Sequence, residues 1–181
     1  MSDLVVRAPR PGGSRGVLGF GHSFIPCALG RSGTAPFHSE GDGTTPLGCW
    51  PLRLVFFRPD RLPRPLSGLP VIALTPDDGW CDAPDDARYN RAVKLPFRSS
   101  AENLWREDAI YDIILVPGIN DNPAITGRGS ALFIHIARED LSPTQGCIAM
   151  RKRDLLHILP RLGPSSRLIS LPASSAALAC V

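Results

Sequence analysis

Residues 130–162 read SALFIHIAREDLSPTQGCIAMRKRDLLHILPRL, and three patterns in that stretch decide the fold. First, Ala131, Phe133 and His135 alternate with Leu132, Ile134 and Ile136, the period of two that marks a half-buried strand. Last, Leu155, Ile158, Leu159 and Leu162 fall at the i, i+3, i+4, i+7 spacing of a helix packed on one face, with Gly163 as a stop. Asp154 near the start suits the helix dipole, and Pro160 removes a late backbone hydrogen bond, so the final turn is expected to bend. Between strand and helix, Gly146 immediately precedes Cys147, and a glycine lets the chain turn sharply and leave backbone N–H groups free.

Working outward, residues 111–116 are almost continuously apolar and end at Pro117-Gly118, which predicts a central strand beside the histidine strand. Residues 4–6, 17–20 and 24–29 predict a hairpin sheet, each segment bounded by Gly, Pro or Ser. Residues 51–57 predict a further strand with Leu52, Leu54 and Phe56 on one face. Residues 71–74 and 167–171 complete the set. The chain has nineteen prolines and seventeen glycines, which interrupt helix interiors and central ladders and so favour short strands. The fold class is therefore mostly β. A length of 181 residues with 43% hydrophobic content suits one domain with its own core, taken as residues 1–172, followed by a small-residue tail over 173–181 expected to fray.

Composition also narrows the partners. The formal charge is +3, and no Lys/Arg block interleaved with aromatics suggests a nucleic-acid groove. No apolar run reaches the roughly 18 residues of a membrane-spanning helix. Residues 1–30 hold arginines at 7, 10 and 15 but no secretory core. A monomer is expected. The five cysteines, at 27, 49, 81, 147 and 180, form no CxxC pair and no zinc spacing, so no metal and no cofactor is expected. With Cys147 free, Cys27, Cys49, Cys81 and Cys180 either form up to two disulfides or stay reduced and buried.

The chemistry sits on Cys147 and His135. A free thiol has a pKa of about 8.5, and a neighbouring imidazole raises its thiolate fraction at neutral pH. Cys147 is the candidate nucleophile and His135 the proton shuttle. The amides of Gly146, Cys147 and Ile148 are candidate oxyanion donors, with Ile136 beside His135 as an orienting residue. The competing reading is a cysteine serving as a small hydrophobe and a strand histidine satisfied in the core.

His135, the short loop, Thr144-Gln145-Gly146-Cys147-Ile148 and the following helix resemble the catalytic motif of the YkuD-type L,D-transpeptidases, which remodel peptidoglycan. Residues 41–48, GDGTTPLG, are similar to that family's glycine-rich Thr-Pro loop, and residues 127–131 to its lead-in to the histidine strand. The likeness covers roughly residues 38 to 170. Gln145 stands where many members have histidine, Ala149 where many have Asn or Arg, and Ile119 where compact members have histidine. Residues 77–82, DDGWCD, with Tyr89-Asn90, resemble a segment of a compact subgroup. The paired aspartates read as turn formers, and Trp80 and Tyr89 as candidate cleft residues.

The resemblance implies a β-sandwich or distorted barrel with at least one packed α-helix. It implies that Cys147 attacks the diaminopimelate carbonyl of a donor stem peptide, forms a thioester, and passes the acyl group to an amine of an acceptor stem. A 3-3 link or one involving L-Ala at position 1 would result. Thr144, Gln145, Trp80 and Tyr89 would contact substrate, and the site would face the periplasm or cell envelope. Water in place of the amine would give an L,D-carboxypeptidase or cross-link hydrolase. A non-catalytic wall-binding module and a redox thiol protein are the rivals from other classes.

Overall fold

Residues 3–173 are described in the computed structural model; most of the expected tail, residues 174–181, lies outside them, as does Cys180. Among the described residues the strands are Leu4–Arg7 (β1), Arg15–Phe20 (β2), Ser23–Ala28 (β3), Thr34–Ala35 (β4), Thr45–Pro46 (β5), Gly48–Phe57 (β6) and Val71–Ala73 (β7). They continue with Asp78–Cys81 (β8), Arg91–Lys94 (β9), Ala101–Asn103 (β10), Ile113–Pro117 (β11), Ile134–Ile136 (β12), Ile148–Met150 (β13) and Arg167–Leu171 (β14). One α-helix, Lys152–Ile158 (α1), follows β13.

The main sheet runs β11-β12-β13-β3-β2-β1-β14-β6-β7, and a further pairing of β11 with β6 closes it into a barrel. The expected hairpins β1–β2 and β2–β3 form, and the apolar strand β11 lies antiparallel to β12, with Ile114 opposite His135. β13 runs parallel to β12, with Ala149 opposite His135. A parallel pair needs a crossover rather than a tight hairpin; residues 137–147 supply it and carry the cysteine turn back to the histidine strand.

Two apolar layers lie on opposite faces of β6 and β11. Ile113 and Leu115 join Leu4, Leu18, Val55, Ile134 and Met150 in one, which the helix seals with Leu155, Ile158 and Leu159. Ile114 and Val116 join Phe56, Leu104, Tyr111, Phe133 and Cys147 in the other. That second layer is covered by a three-stranded sheet, β10-β8-β9. Phe133 is its centre, edge-on to Trp80 at 5.1 Å and to Tyr111 at 6.1 Å; truncating such a buried ring to alanine costs roughly 3–5 kcal/mol.

Several local expectations are corrected. Leu52 does not share a face with Leu54 and Phe56: the ladder with β11 shifts at Arg53, so Leu52 packs with Val55 and Phe57 instead. A bulge adds one residue and flips the alternation. The histidine strand is only three residues long, because Ala131 adopts a φ of 50° and interrupts extension; Phe133 and His135 face away from Ile134 and Ile136 as expected, but Leu132 leaves the face of the two isoleucines and lines the cleft. Tyr111 lies in a 3-10 turn, and the strand starts at Ile113. The helix turns to 3-10 geometry at Leu159–Arg161, where Pro160 breaks the α ladder. The sequence predicts no part of the cover sheet β10-β8-β9: the paired aspartates read as turn formers, yet Asp78 opens β8. The sheet's strands have only three or four residues each, too short for an alternation to stand out in the sequence. Cys27 and Cys81 are free and buried, which removes the two-disulfide arrangement. No helix among the described residues is long and apolar enough to cross a membrane.

Candidate active site

Cys147 and His135 share the lining of one cleft of about 490 Å³, together with Tyr111, Ala131, Thr144, Gln145 and Ala149. His135 reaches it because β12 presents it on the same face as Phe133, against the ring of Tyr111 at 5.2 Å. Its Nδ1 lies 2.9 Å from the carbonyl oxygen of Ile136. A carbonyl only accepts, so Nδ1 carries the proton, and in the neutral ring Nε2 is left as the basic nitrogen. Ile136 thus orients the ring through its backbone. Burial lowers the pKa of His135 to about 4, so the imidazole is neutral across the physiological range.

The Cys147 thiol donates to the carbonyl of Ala131 at 3.2 Å and accepts the amide of Phe133 at 3.3 Å. Burial, and after it the charge of Glu102, pushes its pKa up to about 12. The resting pair is therefore a protonated thiol and a neutral imidazole. This corrects the expectation of a thiolate raised by its histidine: with both groups removed from water, the charge-separated pair costs more than the neutral one.

The cysteine turn is held by its neighbours on three sides. Thr144 donates its amide to Leu29 and its hydroxyl to the Cys147 carbonyl at 2.6 Å, and its carbonyl accepts the amide of Arg31. Thr45, in the glycine-rich loop, accepts the amide of Gly30 at 2.8 Å and donates to the carbonyl of Gly146 at 2.9 Å. Gly146 has a φ of 137°, and a Cβ there would stand 2.8 Å from the Thr44 carbonyl oxygen. Both the conformation and the close approach demand glycine.

Oxyanion donors are fewer than expected. The amide of Ile148 donates to the Phe133 carbonyl at 2.9 Å, and that of Gly146 to the Thr144 hydroxyl at 3.1 Å. The Cys147 amide has no backbone or side-chain acceptor among the described residues outside its own side chain. It is the donor left free to face a developing oxyanion.

The other sequence candidates separate. Gln145 is exposed on the cleft rim, where its side-chain carbonyl accepts the Arg31 guanidinium. Trp80 lines a second, smaller cavity of about 210 Å³ rather than the cleft, donating its indole N–H to Asn90 at 2.9 Å. Tyr89 is buried outside the cleft lining; its hydroxyl donates to Glu40 and accepts the amide of Gly129 at 3.0 Å. Packing around the cover sheet takes both rings away from the place assigned to them as substrate contacts.

Four contributors were missed. His38 is buried, lines the cleft, and sets Nδ1 3.0 Å from both Asp42 and Thr44. Its ring lies against Gly129, where a Cβ would come within 2.3 Å of it. A histidine four residues before an aspartate in a glycine-rich loop was the available signal. Asn90, at φ 56°, takes the amide of Ala131 at 3.2 Å and donates to the carbonyls of Ile119 and Asn120. It fixes the residue whose carbonyl holds the thiol. Glu102 and Arg106 bring charge to the cleft wall from a segment with no periodic pattern.

Neither a curated protein nor a solved structure matches the chain. Residues 19–169 match the YkuD family, L,D-transpeptidase catalytic domain, a span that contains the barrel from β3 to β13, the glycine-rich loop and the cysteine turn. The chain belongs to the YkuD family of L,D-transpeptidase catalytic domains.

Proposed function

We propose that this protein is a peptidoglycan L,D-transpeptidase that cross-links stem peptides through a thioester on Cys147. The observation that carries the reading is a thiol and an imidazole with a free Nε2 in the lining of one cleft, on a chain of this family. Sγ attacks the carbonyl of the bond between diaminopimelate and the terminal D-amino acid while His135 Nε2 takes the thiol proton. The Cys147 amide donates to the oxyanion. Collapse breaks the C–N bond, the imidazolium returns its proton to the departing amine, and the acyl group remains on sulfur. An acceptor amine then attacks the thioester, loses its proton to His135 and regenerates the thiol.

A resting thiol that is neutral fits this sequence, because the proton moves only when a carbonyl is present to receive the sulfur electrons. The substrate lies in the cell envelope, and the periplasmic side is where this protein would act. Purified protein incubated with muropeptides, followed by tandem mass spectrometry, tests the reading. The expected product is a dimer linked either between two diaminopimelates or between L-Ala and diaminopimelate, with release of the D-amino acid. Tripeptide alone would replace transpeptidation by hydrolysis, and unchanged muropeptides would reject both.

A further inference from the structure

The cleft carries opposite charges that are not paired with each other. Glu102 in β10 accepts the Tyr111 hydroxyl at 2.8 Å, while the Arg106 guanidinium stands 5.3 Å from the centre of the same Tyr111 ring. Arg106 is held from behind by Asp108, at 2.7 and 2.9 Å. Among the described residues no ion pair joins Glu102 to Arg106. Beside them Asp82 Oδ1 is buried without a hydrogen-bond partner. All three side chains line the cleft that holds Cys147.

An orphaned buried carboxylate oxygen is costly unless something arrives to satisfy it. A half-buried acid and an arginine in one cavity, each anchored to a different neighbour, suit a ligand that carries both charges. We infer that Glu102, Asp82 and Arg106 are the specificity residues of this cleft, taking a zwitterionic α-amino-acid head group with its ammonium at the two carboxyls and its carboxylate at the guanidinium. The inference rests on the stem-peptide reading above, in which the donor diaminopimelate ends in such a head group.

The arrangement links recognition to chemistry. Burial raises the pKa of Glu102, and its charge is one cause of the high pKa of Cys147, burial being the larger. Tyr111, Asp82 and Arg106 are the other polar groups acting on Glu102. An ammonium docked at Glu102 offsets its negative charge and removes that part of the obstacle to moving the thiol proton. A donor lacking the ammonium leaves the obstacle in place.

The test uses three synthetic tetrapeptide donors, L-Ala-γ-D-Glu-X-D-Ala. X is diaminopimelate, diaminopimelate acetylated on its side-chain amine, or diaminopimelate amidated on its side-chain carboxylate. For the wild-type protein, kcat/KM for D-Ala release falls about tenfold or more with either modification, the size of one lost charge-assisted hydrogen bond. Glu102→Gln brings the acetylated and unmodified donors toward parity while keeping the penalty for the amide; Arg106→Gln does the reverse. Glu102→Gln also moves iodoacetamide labelling of Cys147 to lower pH, a shift that a purely structural role would not produce. Equal turnover of all three donors by the wild-type protein overturns the inference alone, whatever the stability of the variants. Acylation by none of them overturns the stem-peptide reading and the inference with it.

Discussion

The Cys147 thiol donates to the Ala131 carbonyl oxygen across 3.2 Å, and that contact needs the sulfur to keep its proton. Ala131 is presented for it by a positive φ and by the hydrogen bond its amide donates to the Asn90 side-chain oxygen. Labelling with iodoacetamide against pH, read by peptide mapping, should therefore give Cys147 a midpoint well above the ordinary 8.5. His135→Gln should leave that midpoint in place, since no imidazolium stabilises the sulfur at rest. A midpoint below 8 that rises in the variant would restore a resting ion pair.

His135 makes stability depend on pH in a defined window. Its folded pKa is about 4, against about 6.5 unfolded. Between these values the unfolded chain binds a proton that the folded chain does not, so stability is full above about 6.5 and falls as pH drops toward 4. The loss amounts to roughly 3 kcal/mol. Urea unfolding at pH 7 and pH 4.5 should show the drop in the wild-type protein, and a smaller one in His135→Gln. An equal drop in both would assign it elsewhere.

Thr45 ties the glycine-rich loop to the cysteine turn by two bonds at 2.8 and 2.9 Å. Thr45→Val keeps the shape and removes both, leaving the buried Gly30 amide and Gly146 carbonyl unsatisfied at about 1–3 kcal/mol each. Thermal melting should fall accordingly. Acylation of the folded fraction should slow, because the Gly146 carbonyl no longer fixes the turn. Unaltered acylation by a destabilised variant would confine Thr45 to folding.

Gly146→Ala should do more harm than its size suggests. The φ of 137° is closed to alanine, and the new Cβ would press on the Thr44 carbonyl at 2.8 Å. Strain of this kind costs on the order of 1–3 kcal/mol. The Cys147 amide shifts with the turn, so the acylation rate should fall by about 10²-fold, the loss typical of one oxyanion donor. A wild-type rate would show that this amide is not the donor.

The barrel was readable where burial is regular. β1, β2, β3, β6, β11 and β14 each carry apolar residues at strand spacing or in a continuous run, and the helix keeps its period until Pro160 intervenes. The reading failed where geometry rather than composition sets the face. A bulge at Arg53 moved Leu52 to the other layer, and a positive φ at Ala131 shortened the histidine strand. β9 and β10 are half-exposed and only three or four residues long, so they left no pattern. In the site, Cys147 and His135 were legible because their residue types announce chemistry. His38 and Glu102 were not, because a loop histidine and an isolated acid become significant only when folding brings them into the lining of one cleft. The oxyanion assignment to Ile148 failed for a related reason. Whether an amide is free depends on which carbonyl faces it, and the carbonyl of Phe133, just before β12, takes that one.

The most direct test of the account is the mass of the intact protein after brief incubation with the unmodified tetrapeptide donor. A tripeptidyl adduct is predicted on the wild-type chain, mapping to the peptide that contains Cys147, sensitive to hydroxylamine, and absent from folded Cys147→Ala. The same adduct on Cys147→Ala, or D-Ala release by that variant at the wild-type rate, would contradict the account.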